Sequence, residues 1–255
     1  MNKSSYPTKL QENIIVDVVF EIRFNAKKGF SNLAPGAARD LFGANVKIDS
    51  YPISNLPSQI READPDLKYQ PIVRMEWPDV MLMVGDYSLG IGYGTNYPGW
   101  DTFKDHIQKL LSWLSSEEAL KDKINEVKRY SFKYVDFIPE KLYSELEKPF
   151  LVNAILGKGD VNSDKLRLQL ELTADFGACL FDFNSPVQAV IDDSDAGKGV
   201  LVIVDTLRNL IHPLELGEFS EDLELHREKM HLKNKELFFE ALSQELLEKL
   251  GAKYE

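Results

Sequence analysis

The stretch Pro71–Leu114, PIVRMEWPDVMLMVGDYSLGIGYGTNYPGWDTFKDHIQKLLSWL, decides the fold class. It opens with three short β runs, Ile72 to Trp77, Val80 to Gly85 and Ser88 to Tyr93. Only Pro78-Asp79 and Asp86-Tyr87 separate them. Connections this brief suit antiparallel neighbours, because a parallel crossover needs a dozen residues or more. The pattern then changes period. Phe103, Ile107, Leu110, Leu111 and Leu114 recur at the spacing of one helix face, and Asp101 is placed to cap the first turn.

Upstream, Ile14 to Phe24 (IIVDVVFEIRF) alternates. Val16, Val18, Phe20, Ile22 and Phe24 share one face of a strand, and Asp17, Glu21 and Arg23 share the other. Between this strand and the meander, residues 25–71 resist assignment. A short helix after Pro35 is the one element expected there, and Pro52, Pro57, Pro65 and Pro71 break up the rest. A connection so long is functional or holds structure the periodicity does not reveal.

Downstream, Ser115 with Glu118 three residues on reads as a capping box for a second helix near Glu117. Val127 to Ile138 reads as a strand, and Pro139 as the first residue of a short helix, PEKLYSEL. Strands are expected over Phe150 to Leu156, Leu166 to Thr173, Ala178 to Phe183 and Gly199 to Thr206. The polar run 192–199 (DDSDAGKG) reads as a flexible hairpin or loop, and helix is expected from Ser220 to Leu250. Strands followed by helix thus occur twice. The expectation is an α+β protein, mostly antiparallel sheet with packed helices, in two similar strand-then-helix halves, 1–138 and 139–255. The halves are either separate domains or share one continuous sheet.

Composition narrows the function classes. With 41 acidic and 30 basic residues the chain carries a net charge of −11, which repels phosphates and anionic headgroups at long range. Lys128, Arg129 and Lys133 beside Tyr130 and Tyr134 are the only local support for nucleic-acid binding, so that role is disfavoured. No run of apolar residues is long enough for a membrane-spanning helix. The N-terminal residues show no apolar signal core, and a single cysteine, Cys179, leaves no disulfide to form within the chain. A cytoplasmic location is the expectation.

Candidate chemistry is sparse. Gly90, Gly92 and Gly94 resemble a dinucleotide loop, but Thr95 stands where the third glycine belongs and the glycines lie in a strand. They read instead as room for a crossing helix or a bulge. Gly197-Lys198 is followed by Gly199, not Ser or Thr, so no phosphate loop is formed. His226 and His231 are five apart, not four, and Arg227 occupies the place of the zinc-hydrolase glutamate. His226 shares a stripe with Phe219, Leu223 and Met230, as a half-buried structural histidine would. His106 reads as solvent-facing, His212 as a loop residue, and Cys179 as a buried inert thiol. No catalytic, cofactor-binding or metal-binding residue is assigned.

Aromatics offer the one positive signal. Tyr87, Tyr93, Tyr97 and Trp100 cluster between a strand and the next helix, and Asn96, Pro98 and Gly99 form a turn that could hold rings outward. Such residues serve equally well in sheet packing and in recognition. The expected function is a non-catalytic protein-interaction or scaffold role, through a protein partner or self-association. The acidic residues Glu215, Glu218, Glu221, Asp222 and Glu224 would favour a basic partner. The alternative is an enzyme whose site assembles from distant residues.

Several scattered motifs carry a resemblance. Pro7, Leu10 and IIVDVVFEIRF open the chain. Arg129-Tyr130 and Tyr134 to Pro139 stand mid-chain, and His231, Phe238 or Phe239, Leu242 and LLEKLG close it. Together these resemble a sporadically distributed family of uncharacterised bacterial proteins of about this length. That family has no established function, so the resemblance implies no ligand, cofactor or site residue.

Overall fold

The computed structural model describes residues 6–121, 123–152, 155–156, 159–160 and 165–254. In chain order the strands are β1 (Ile15–Ala26), β2 (Lys47–Ser50), β3 (Pro71–Glu76), β4 (Met81–Gly85), β5 (Ser88–Tyr93), β6 (Ile124–Pro139), β7 (Ile155–Leu156), β8 (Gly159–Asp160), β9 (Leu166–Ala174), β10 (Gly177–Ile191) and β11 (Ser194–Leu214). The helices are α1 (Phe30–Ala37), α2 (Ser58–Ala63), α3 (Pro65–Lys68), α4 (Trp100–Ser116), α5 (Glu118–Lys121), α6 (Leu216–Glu240) and α7 (Gln244–Lys249). Nine strands form a large antiparallel sheet in the order β2-β3-β4-β5-β1-β6-β11-β10-β9, and β7 pairs with β8. The α+β class and the antiparallel sheet with packed helices therefore stand as expected.

The chain divides into two compact units, each drawing on residues from both sides of position 138. Unit 2 comprises Val18–Phe132 and Leu207–Glu228. Its centre is the meander β3-β4-β5, with β5 paired to β1 so that Val19 stands opposite Gly92 and Glu21 opposite Gly90. A Cβ at Gly92 would run into the Val18 carbonyl oxygen and the Val19 side chain, and one at Gly90 would crowd Met83. The close approach is between neighbouring strands, not to a crossing helix. The α4 stripe Phe103, Ile107, Leu110, Leu111 and Leu114 is buried as its spacing predicts. Phe103 and Phe20 meet Phe132 of β6 at centroid distances of 6.4 and 5.0 Å. Each such side chain contributes about 1.5–3 kcal/mol on burial.

Unit 1 comprises Met1–Asp17, Lys133–Thr206 and Lys229–Glu255. Its core gathers Ile138, Phe181, Phe183, Val200, Val202 and Val204 from strands with Phe238 of α6, Leu246 of α7 and Leu242 and Leu250 from the turns beside them. Ser243 caps α7, its hydroxyl accepting from the Leu246 N–H at 3.2 Å.

Several local expectations are corrected. The first helix spans Pro35 instead of following it, because Phe30 is buried against Phe24 and anchors an earlier start. Ser115 lies inside α4 with its hydroxyl on the Leu111 carbonyl, and Glu117 takes the capping role at Ala119 N–H. Asp101 pairs with Lys104 in the first turn of α4, and the N-cap is Gly99. The segment after Pro139 makes only a 3-10 turn, Glu140–Leu142. Of the two readings of residues 192–199, hairpin or loop, the hairpin stands but is confined to two residues: Asp192 and Asp193 take φ of 49° and 59°, and the strand resumes at Ser194. Two left-handed residues between strands make the two-residue hairpin whose twist matches the sheet, and aspartate tolerates that conformation better than most side chains. Part of the strand expected over Phe150 to Leu156 lies outside the described residues. Within them, Phe150 makes a single bridge to Leu242 and Ile155–Leu156 pairs with Gly159–Asp160.

Candidate functional site

The segment between β1 and β3 holds the most unusual chemistry, all of it in unit 2. Two residues, Asp86 and Tyr87, turn the chain between β4 and β5. Ahead of the turn Gly85 packs closely on the chain leading into β3, where a Cβ would meet the Gln70 carbonyl at 2.8 Å. Asp86 accepts from the Ser31 hydroxyl at 2.6 Å and from Arg61 Nε and Nη2 at 2.9 and 2.7 Å. Arg61 Nη1 donates to the Leu56 carbonyl. A guanidinium satisfied in this way can be buried, and Arg61 is only 7% exposed.

Around this pair lies a polar cavity of about 400 Å³. Lys27 and Lys28 stand at it, with Gly29, Ser31 and Asn32 from the start of α1 and Ser54, Ser58 and Glu62 from the facing turn and helix. Tyr87 completes the wall. Its hydroxyl is pushed up to about 12, first by burial and then by the Glu62 carboxylate it bonds to. Lys68 lies over the Tyr87 ring at 5.0 Å.

Several aliphatics of the same segment are exposed among polar neighbours such as Asn32, Gln59 and Glu62. Ile60 is 50% exposed, Leu33 41% and Leu56 39%, and Ile48 on β2 is also exposed. At this point of the segment Arg61 is inside and its neighbour Ile60 outside, while Phe30 and Ala34 of α1 and Ala38 at its C-terminal end keep to the core.

Other polar groups are used structurally. Arg208 grips Asp222 through two bonds of 2.8 and 2.7 Å, and the Tyr130 hydroxyl donates to the same carboxylate at 2.8 Å. Burial opposes ionisation of Asp222, yet the Arg208 and Tyr130 bonds hold it below the usual carboxylate range. His226 bonds the Asp222 carbonyl at 2.8 Å, as a half-buried structural histidine should. Tyr134 bonds His231 at 3.1 Å. The rings of Tyr130 and Tyr134 are buried, so neither offers a face for stacking on a base. His106 is not solvent-facing: its Nδ1 meets the Tyr93 hydroxyl at 2.5 Å, and burial followed by Lys109 lowers its basicity. His212 lies within β11 instead of a loop. Cys179 is buried and its thiol is pushed up to about 11, chiefly by burial. Among the described residues no three His, Cys, Asp or Glu side chains converge as metal ligands would.

The four aromatics do not come together as one outward surface. Tyr93 is a core residue, fully buried and edge-on to Tyr97 and Phe103 at 5.8 and 5.5 Å. Tyr97 and Trp100 are half-buried, and Trp100 turns back onto Phe132 at 5.5 Å with its Nε1–H on Glu228 at 2.9 Å. The turn through Asn96, Pro98 and Gly99 directs its rings toward α4 and β6. Tyr87 alone stands at the cavity. Arg61, Asp86 and Ser31 were missed by sequence reasoning, since they lie in three segments with no shared spacing. The buried state of Arg61 had no signal in a segment whose periodicity is broken by prolines.

Comparison with family models and with curated proteins returns no match for this chain.

Proposed function

We propose that the protein is a non-catalytic binding protein whose recognition surface is the segment from α1 to α3 in unit 2. One observation carries the reading: this segment buries Arg61 while Leu33, Leu56 and Ile60 stay exposed. A segment free to satisfy only its own fold would place those groups the other way round, because each exposed aliphatic forgoes about 1.5–3 kcal/mol of burial. Exposed aliphatics beside a rigid, ion-paired base are suited to contact with another protein. Lys27 and Lys28 flank the same surface and favour a partner with acidic groups around an apolar face.

The test uses neutral rim substitutions, Ile60→Gln and Leu33→Gln, which touch no buried hydrogen bond. With circular dichroism and thermal midpoint unchanged, a partner captured by the wild type is purified and its binding measured by calorimetry. The expected result is at least about a tenfold loss of affinity, the scale of one buried interface aliphatic. Equal affinity for wild type and variants defeats the reading.

A further inference from the structure

We infer that β9 is a self-association edge: two copies of this chain pair β9 against β9, antiparallel about a two-fold axis at Gln169. The inference lies in unit 1 and is independent of the docking reading of unit 2.

The nine-stranded sheet ends at β2 on one side and at β9 on the other. An edge strand presents a row of main-chain N–H and C=O groups to any strand of matching register, and natural edges are blunted by shortness, proline or bulges. β2 is blunted in this way: it has four residues, and Pro52 follows soon after. Its charges, Lys47 and Asp49, already pair with each other at 2.8 Å. β9 is built differently. It runs nine residues without proline, and its pairing with β10 continues from Ala174–Gly177 to Leu166–Ser185 without a register shift. Among the described residues no strand pairs with its outer side.

The core face of unit 1 runs out at this edge. Leu168, Leu170 and Leu172 stand opposite Phe183, Phe181 and Cys179 of β10, and Leu166 continues their stripe. Cross-strand partners share a face. The three β10 residues are buried, yet each leucine stays partly open to solvent, Leu170 most, at 39%. A further strand carrying apolar residues on this face would complete their cover.

The opposite face selects the occupant. Arg167, Gln169 and Glu171 are exposed in a row, and among the described residues neither charge enters an ion pair. Their order is self-complementary. With Gln169 on the axis, Arg167 lies opposite the second copy's Glu171, and Glu171 opposite the second copy's Arg167. Both pairs form at once, because a two-fold interface repeats every contact. The same register sets Leu168 against the second copy's Leu170 and Leu166 against its Leu172, so the two leucine stripes join. A slip by one residue would set every leucine beside a polar residue instead. The chain's charge of −11 opposes indiscriminate self-association, but β9 itself carries one charge of each sign and is neutral. An unrelated strand would have to supply this order of charges and leucines; a second copy already has it.

Sedimentation equilibrium of the full-length protein over a range of loading concentrations tests the pairing. The expected result is a reversible monomer–dimer equilibrium, with amide hydrogen exchange over residues 167–173 slowing as concentration rises. Arg167→Glu and Glu171→Arg each set like charges opposite one another twice, and each should weaken the dimer about tenfold or more. The double variant Arg167→Glu/Glu171→Arg restores both pairs with signs exchanged, and its affinity should return to within about threefold of the wild type. Gln169→Lys sets lysine against lysine on the axis and should weaken the dimer as the single reversals do. These side chains are exposed, so thermal midpoints should stay close to that of the wild type. The exchange readout uses the wild type alone and stands even where a variant fails to fold. A wild type that stays monomeric at every concentration overturns the inference. So does a dimer that Arg167→Glu and Gln169→Lys leave intact, or a double variant no tighter than the single reversals.

Discussion

Ile60 and Arg61 are chain neighbours, yet one side chain lies half in solvent and the other is almost wholly buried, because Asp86 Oδ2 accepts from both Nε and Nη2 of Arg61 on the inner side. An unpaired arginine there would be driven outward by desolvation. A second buried charge behaves differently. Asp136 on β6 is paired with no cation among the described residues, and burial pushes its carboxyl from 3.8 up to about 8. Between those values the folded protein holds a proton that the unfolded chain has released. Stability therefore falls as pH rises through that window. Asp136→Asn keeps the neutral shape and removes the titration. Denaturant midpoints at about pH 5 and about pH 9 should show the wild type losing stability relative to Asp136→Asn as pH rises. Parallel pH dependence of the two proteins would show that Asp136 does not titrate in this window.

Strands and long helices carry most of their own instructions. The alternation of Val18, Phe20, Ile22 and Phe24 on β1 and the five-residue stripe on α4 were legible because each periodic face became a buried face. The segment from α1 to α3 was not, since its helices are short and Leu33, Leu56 and Ile60 stay exposed beside the buried Phe30 and Ala34. Periodicity there reports no core. The cavity was illegible for a related reason: Ser31, Arg61 and Asp86 converge only once β4 and β5 have turned. Glycines show how much the element decides. Gly92→Ala forces a Cβ against the Val18 carbonyl of the paired strand, a backbone group that cannot rotate away. It should destabilise by about 1–3 kcal/mol. Gly217→Ala on α6 meets nothing within 4 Å and should be neutral or stabilising by up to about 1 kcal/mol. Urea unfolding of the two variants checks the contrast, and equal effects would refute it.

At the scale of the whole chain, the order of elements in sequence is not the order of compact units. Unit 2 needs Leu207–Glu228 in addition to Val18–Phe132, and with it Phe219 and Leu223, which are buried. Unit 1 needs Ile14 from the N-terminal end for its core. A cut after Ile138, where the strand-then-helix repeat suggests a boundary, leaves both pieces without part of a core. Fragments 1–138 and 139–255 expressed separately should lack dispersed amide spectra and cooperative melting. A fragment that folds alone would show that the sequence repeat marks a true domain border. The lone cysteine has a practical consequence at this scale. Cys179 is fully enclosed, and its thiol ionises only near pH 11, so at neutral pH it offers almost no thiolate to an electrophile. The native chain is thereby a silent background for site-directed spectroscopy. An Ile60→Cys rim variant can carry a maleimide fluorophore or spin label with the natural thiol left in place, and the dye reports arrivals at that one position.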